Sequence, residues 1–119
     1  MKTWDDLSDF EINKTIFPFT KDFGECKDIM QNKNPNRSAV MWGDGANWFE
    51  FDGCNNPADM WPIILENNIV ITPCMGLNIG DATGYSEHEN PIISEFNDNS
   101  KALRAAAIVF LMMNGVNPE

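Results

Sequence analysis

The sequence predicts an α+β domain: a small antiparallel sheet packed against a C-terminal helix, with two additional short helices completing the core. Three observations predict it. Near the C-terminus, Lys101-Ala102-Leu103-Arg104-Ala105-Ala106-Ala107 combines high helix propensity with the apolar residues that follow it. The middle of the chain changes from helical spacing to short aromatic or branched runs broken by Gly and Asp. A length of 119 residues with a 43% hydrophobic fraction supports one core, so residues 1–119 are read as a single domain.

The first helix is expected from Thr3 to about Phe17, with Thr3 as cap, Asp6 three residues on, and Leu7, Phe10, Lys14 and Phe17 at helical spacings. Pro18 limits it. Phe23, Cys26, Ile29 and Met30 suggest a short helical face, and Gln31-Asn32-Lys33-Asn34-Pro35-Asn36 a polar loop. Residues 38–42 and 47–51 then read as two strands joined through Gly43-Asp44-Gly45. In the second run Phe49 and Phe51 share one parity and are the expected core pair.

A helix is expected from Met60 to Asn68 with Asp59 as N-cap, because an earlier start at Asn56 and Pro57 would put Pro62 in the helix interior and lose a backbone bond. Ile69-Val70-Ile71-Thr72 reads as a third strand ended by Pro73. Cys74 through Asn99 carries scattered glycines and acids and reads as a long irregular excursion. The last helix, Ser100 to Met113, presents Leu103, Ala106, Ala107, Phe110 and Leu111 on a broad apolar face and stops at Gly115 and Pro118. Such a helix is central to the core or buried at a homodimer contact made by Leu103, Phe110 and their neighbours.

Eighteen acidic residues against eight Lys plus Arg give a formal charge of -10. That balance disfavours direct binding to nucleic acid or anionic lipid and suits solubility, a basic protein partner, or imitation of a phosphate array. Cys26, Cys54 and Cys74 are odd in number and far apart, which points to a reducing compartment. The acidic start and the short Ala105 to Met113 apolar run supply neither a signal core nor a membrane span, so a cytoplasmic location is expected.

One segment carries a resemblance. Phe51, Asp52, Pro57, Pro62, Ile63, Ile64, Glu66, Asn67 and Ile69 match the pattern aromatic-Asp/Ser, Pro, Pro-Ile-Ile, acid or amide, Ile of the NinX-like family of small proteins from tailed bacteriophages. Leu7-Ser8-Asp9-Phe10-Glu11-Ile12-Asn13 resembles the opening element of that family, and Ala102 to Phe110 its closing helix. The resemblance implies a phage gene product working inside an infected bacterial host. It constrains context more than mechanism.

Candidate site residues concentrate around the same segment. Asp52, Asn55, Asn56 and Asp59 could fix turns and caps, or receive a polar ligand or partner with Trp48 or Trp61 as an aromatic wall. His88 with Glu87 and Glu89 could join Asp52 and Asp59 around a hard cation, although no spacing brings them together. Cys26, Cys54, Cys74 and His88 lack the paired Cys-x-x-Cys spacing of a zinc site, and the scattered glycines form no phosphate loop. Cys54 or Ser86 would need an unforeseen fold to make a nucleophile with His88. Arg104 could hold an anion or pair with a carboxylate.

No cofactor, metal or catalytic residue is therefore expected. The expected function is that of a phage accessory protein binding a host protein or a nucleic-acid-processing complex, with acidic DNA mimicry as its narrower form. The alternatives are a small metal-assisted hydrolase or ligand-modifying enzyme, and a homodimeric structural protein.

Overall fold

Thr3 does open a helical segment, but the segment comes in two pieces. In a computed structural model describing residues 2–30, 37–74 and 76–118, the Thr3 N–H donates to Asp6 Oδ2 at 2.8 Å and closes a single 3-10 turn, Trp4–Asp6. Leu7 is extended, and Ser8 starts again by accepting the Glu11 N–H on its hydroxyl at 3.1 Å, giving helix α1, Asp9–Ile16. The restart resets the helical phase. Ile12, Asn13, Ile16 and Phe17 are buried, while Lys14, expected on the inner stripe, is exposed.

Pro18 sits in a 3-10 turn, Phe17–Phe19, and a second turn, Lys21–Glu25, carries Phe23. Ile29 does not continue a helical face: it lies in strand β1, Asp28–Met30, the edge of a three-stranded sheet. The expected polar loop at 31–36 falls outside the described residues.

Strands β2, Val40–Gly43, and β3, Trp48–Phe51, complete that antiparallel sheet in the order β1-β2-β3. Their turn is fixed by Asp44, whose Oδ1 accepts the N–H groups of Asn47 and Ala46, both at 2.8 Å, while Gly45 takes φ 100°. Those two bonds hold the Asp44 carboxyl below its ordinary pKa. Of the expected core pair, Phe51 is buried but Phe49 is 40% exposed, stacked on Trp42 at 4.6 Å.

Helix α2 spans Pro57–Glu66, starting earlier than expected. Asn56 is the cap, its Oδ1 accepting the Ala58 N–H at 3.0 Å, with Pro57 at the first helical position. Pro62 is tolerated in the interior because the backbone bond it removes would have gone to the carbonyl of exposed Ala58. Meanwhile Asp59 is engaged elsewhere. The helix ends where Asn68 turns left-handed, φ 54°: the Ile69 N–H reaches the Ile64 carbonyl at 3.1 Å and the Asn67 amide donates to the Ile63 carbonyl at 2.8 Å.

The largest departure from expectation lies at 74–99, which is mostly a β-hairpin. Strands β4, Val70–Pro73, β5, Gly80–Tyr85, and β6, Pro91–Phe96, form a second antiparallel sheet in the order β4-β5-β6. The small inward residues Gly80, Ala82 and Gly84 alternate with Asp81, Thr83 and Tyr85. A Cβ added at Gly84 would stand 2.5 Å from Met113 Sδ and 2.8 Å from Val109 Cγ1. Glycine thus lets the strand approach the last helix closely.

That helix, α3, spans Ala102–Met113 after a 3-10 turn, Asn99–Lys101, capped by Asp98 accepting the Ser100 N–H at 2.9 Å. This bond and the Ser100 hydroxyl lower the Asp98 pKa. Every residue from Ala105 to Leu111 is buried, so α3 is central to the core, enclosed by the second sheet, α1 and α2. Phe110, offered as a dimer contact, is spent within the chain and meets Phe19 edge-on at 5.6 Å. Gly115, at φ 74°, ends the helix as the Val116 N–H bonds the Leu111 carbonyl at 3.0 Å. Among the described residues the fold is α+β with two small antiparallel sheets rather than one, and three α-helices. No helix among the described residues is long and apolar enough to cross a membrane.

Candidate functional site

The polar residues around Asp52 form one connected network, and its centre is a residue the sequence reading passed over. Asn13 is fully buried on the inner side of α1. Its Nδ2 donates to Asp52 Oδ1 at 2.7 Å and to the Ser38 carbonyl at 3.0 Å, while its Oδ1 accepts the Cys54 N–H at 2.9 Å. The Ser38 hydroxyl donates to Asp52 Oδ2 at 2.6 Å, and the Asn55 amide donates to Asp52 Oδ1 at 3.1 Å. Both Asp52 oxygens are thus occupied by neutral donors, which leaves them poorly disposed to bind a cation.

The network continues through Asn55, whose amide reaches Asp9 Oδ2 at 3.1 Å. Asp9 Oδ1 in turn receives Arg104 Nη1 at 2.7 Å. The other guanidinium nitrogen of Arg104 donates to the carbonyls of Trp4, at 2.8 Å, and Leu7, at 2.7 Å. Arg104 therefore saturates the carbonyls exposed where the N-terminal segment breaks, and ties them to α3. Asp9, Asn13 and Ser38 were legible only as polar residues in or beside helical and strand patterns.

Asp59 approaches this network from the backbone side. Its Oδ2 accepts the Asp52 N–H at 2.9 Å. Partial burial raises its pKa, opposed by that bond, with the charges of Asp52, Asp22 and Glu50 adding to the rise. Cys54 is buried, and burial pushes its thiol far above the ordinary value, with the Asp9 charge contributing. It is a protonated thiol whose Sγ–H points to the Asp9 carbonyl at 3.8 Å.

The remaining candidates are dispersed. Trp48 is half exposed at the start of β3, its ring lying over Gly43, and Trp61 is exposed on the outer face of α2. His88 is exposed on the β5–β6 hairpin tip, where the Ser86 hydroxyl accepts the Asn90 N–H at 3.2 Å and Glu89 takes φ 62°. Among the described residues no three His, Cys, Asp or Glu side chains are grouped to hold a metal ion.

A cleft of about 1110 Å³ opens on the Arg104 side of the network. Trp4 and Asp9 line one wall, Lys101 and Arg104 the α3 wall, and Asp81 and Glu95 the sheet wall. Of the candidate ligand- or partner-binding residues Asn55 and Arg104 reach it, and Cys54 and Cys74 also line it. Asp81 and Glu95 are register partners on adjacent strands, which sets two like charges opposite each other. The missed hairpin is what builds this wall.

A family model described as Bacteriophage P22, NinX matches residues 3–114 of the chain. No curated protein and no solved structure matches it.

Proposed function

The chain belongs to the NinX family of bacteriophage proteins, and from that premise we propose that it is an accessory protein acting by binding a basic protein of the host, such as a component of a nucleic-acid-processing complex. One observation carries this reading: most of the acidic surface is not neutralised within the chain. Among the described residues, ion pairs engage Glu66, Glu50 and Asp9, against a formal charge of -10 for the whole sequence. Self-repulsion of that size is relieved by a partner of opposite charge, which it also steers into encounter. A phosphate-like spacing of those carboxylates would make DNA mimicry the mode of binding.

The test is capture from host lysate on the immobilised chain, with bound proteins identified by mass spectrometry at rising salt and with double-stranded DNA as competitor. A specific basic protein held at about 0.05 M salt and released by about 0.5 M is expected, because screening shortens the reach of the charges. Competition by DNA supports mimicry. No specific partner at low salt overturns the proposal.

The mixed-charge cleft favours a second reading, a domain that binds or modifies a small polar ligand. A rise in Tm with one member of a nucleotide and amino-acid panel, abolished by Lys101→Ala, would support it. No rise with any member counts against it.

A further inference from the structure

We propose that the outer face of the second sheet, carrying Val70, Tyr85 and Ile93 beside the carboxylates of Asp81 and Glu95, is the docking surface for a basic amphipathic helix of a partner protein. This deepens the basic-partner reading and rests on it. Strand register makes the face one surface. Val70, Thr83 and Ile93 are successive register partners across β4, β5 and β6, so their side chains stand in one row. Tyr85 and Pro91 form the next row on one side, and Thr72, Asp81 and Glu95 the next row on the other. Neighbouring rows lie two residues apart along each strand and therefore point the same way. The alternate residues, among them Ile71, Ala82, Ile92 and Phe96, pack into the core.

Exposure follows the same division. Val70, Tyr85 and Ile93 are 55%, 53% and 54% exposed, three large apolar side chains on the face that α3 leaves uncovered. The central row crosses two interstrand gaps, roughly 10 Å, which is the width of a helix. Successive rows are about 7 Å apart, close to the rise of about 6 Å between helix positions i and i+4. A second helix can thus cover this face as α3 covers the opposite one.

Charge selects what that helix carries. Asp81 and Glu95 are direct register partners in the row beside the apolar one. The Thr83 hydroxyl donates to Asp81 Oδ1 at 3.2 Å, which fixes that carboxylate on the apolar row's side of β5. Neither acid has an ion pair among the described residues, and no Lys or Arg occurs in β4, β5 or β6. Two like charges opposed on one face repel, and a cation seated between them relieves both. A helix with apolar residues over Val70 and Ile93 and a Lys or Arg one turn further on meets both demands. A second copy of this chain would instead bring the same carboxylates and a further formal charge of -10 to the face. Asp81 and Glu95 also line the cleft described above, so the face and the cleft meet at this row.

The experiment titrates the isotope-labelled full chain with a synthetic helical peptide bearing leucines on one face and lysines one turn away, and with its glutamate counterpart, following backbone amide shifts. Shifts centred on residues 70–72, 81–85 and 91–95, a gain of helical circular dichroism, and no response to the glutamate peptide are expected. Ile93→Thr should weaken binding about fivefold through lost apolar burial, while Ile29→Thr, the same change on the first sheet, leaves it unaltered. Asp81→Asn combined with Glu95→Gln should weaken it at least about fivefold and flatten its salt dependence. Mapping on the unaltered chain stands even if a variant folds poorly. Equal binding of the glutamate peptide overturns the charge assignment. Binding without a gain of helix puts an extended segment on the face and overturns the helical occupant. Shifts confined to Lys101, Arg104 and the rest of the cleft overturn this surface but keep the basic-partner reading. Concentration-dependent shifts at Val70, Tyr85 and Ile93 without peptide overturn the proposal in favour of a second copy of the chain. No binding at low salt overturns the proposal by itself; the reading beneath it falls only if the lysate capture, which uses no peptide, also yields no partner.

Discussion

Asn13 Nδ2 donates to Asp52 Oδ1 at 2.7 Å, joining the inner face of α1 to the residue that follows β3. With its bonds to Ser38 and Cys54, the one amide joins four points of the chain inside a closed core. Asn13→Ala would remove all three bonds and leave the Cys54 N–H buried without an acceptor. The cost expected is about 2–4 kcal/mol, read as a lower urea midpoint with unchanged slope. A loss below about 0.5 kcal/mol would mean that water replaces the amide, and the network would not be structural.

Part of this arrangement was readable in the sequence and part was not, for physical reasons that differ by residue. The family-like segment is explained almost position by position: Phe51, Ile63, Ile64 and Ile69 are core, Asp52 is the carboxylate that Asn13, Ser38 and Asn55 bond, Pro57 opens α2, and Asn67 closes it. The start of α2 was misplaced because a proline penalty argued in isolation ignores that Asn56 is the better cap and that the carbonyl left free is exposed. The β5–β6 hairpin escaped because Gly80, Ala82 and Gly84 are poor strand formers, chosen for close approach to α3 rather than for propensity. Asn13 escaped because one polar residue on a helical stripe reads as an interruption until its partners, far away in sequence, are known.

Arg104 links segments 95 residues apart through Asp9, and its side chain is only 14% exposed. Arg104→Met keeps the aliphatic packing but orphans the Leu7 carbonyl, leaves the Trp4 carbonyl with the Leu7 N–H alone, and leaves the Asp9 carboxylate without its cation. A loss of about 2–3 kcal/mol is expected, with faster amide exchange over residues 4–9. Arg104→Lys should recover less than half, because one ammonium cannot serve the same three acceptors in a fixed fork. Full recovery by lysine would show that charge alone matters here.

Gly84 faces α3 with no room for a methyl group. Gly84→Ala should cost about 1–3 kcal/mol, since Val109 lies in the buried helix and cannot withdraw, even if the thioether of Met113 can. Gly24→Ala is the matched control, because nothing lies within 4 Å of its added Cβ and its φ is not left-handed. Thermal unfolding of the two variants side by side separates close packing from a general intolerance of alanine. Equal Tm values would show that the hairpin simply slides outward.

Asp59 ties stability to pH through a sign opposite to that of an ion-paired carboxylate. Its folded pKa lies above the ordinary 3.8, chiefly because burial opposes the charge. The folded state therefore holds the proton more tightly than the unfolded chain does, and this group's contribution to stability falls as pH rises through the interval above 3.8. Asp59→Asn removes the charge while its side-chain oxygen can still accept the Asp52 N–H. The variant should be more stable than the parent at neutral pH by a few tenths of a kcal/mol, the group being partly solvent-screened. The advantage should shrink toward zero as pH falls through that interval. Urea unfolding of both proteins across the acid range tests it; a variant less stable at neutral pH by more than about 1 kcal/mol would mean that the bond to Asp52 requires a full negative charge.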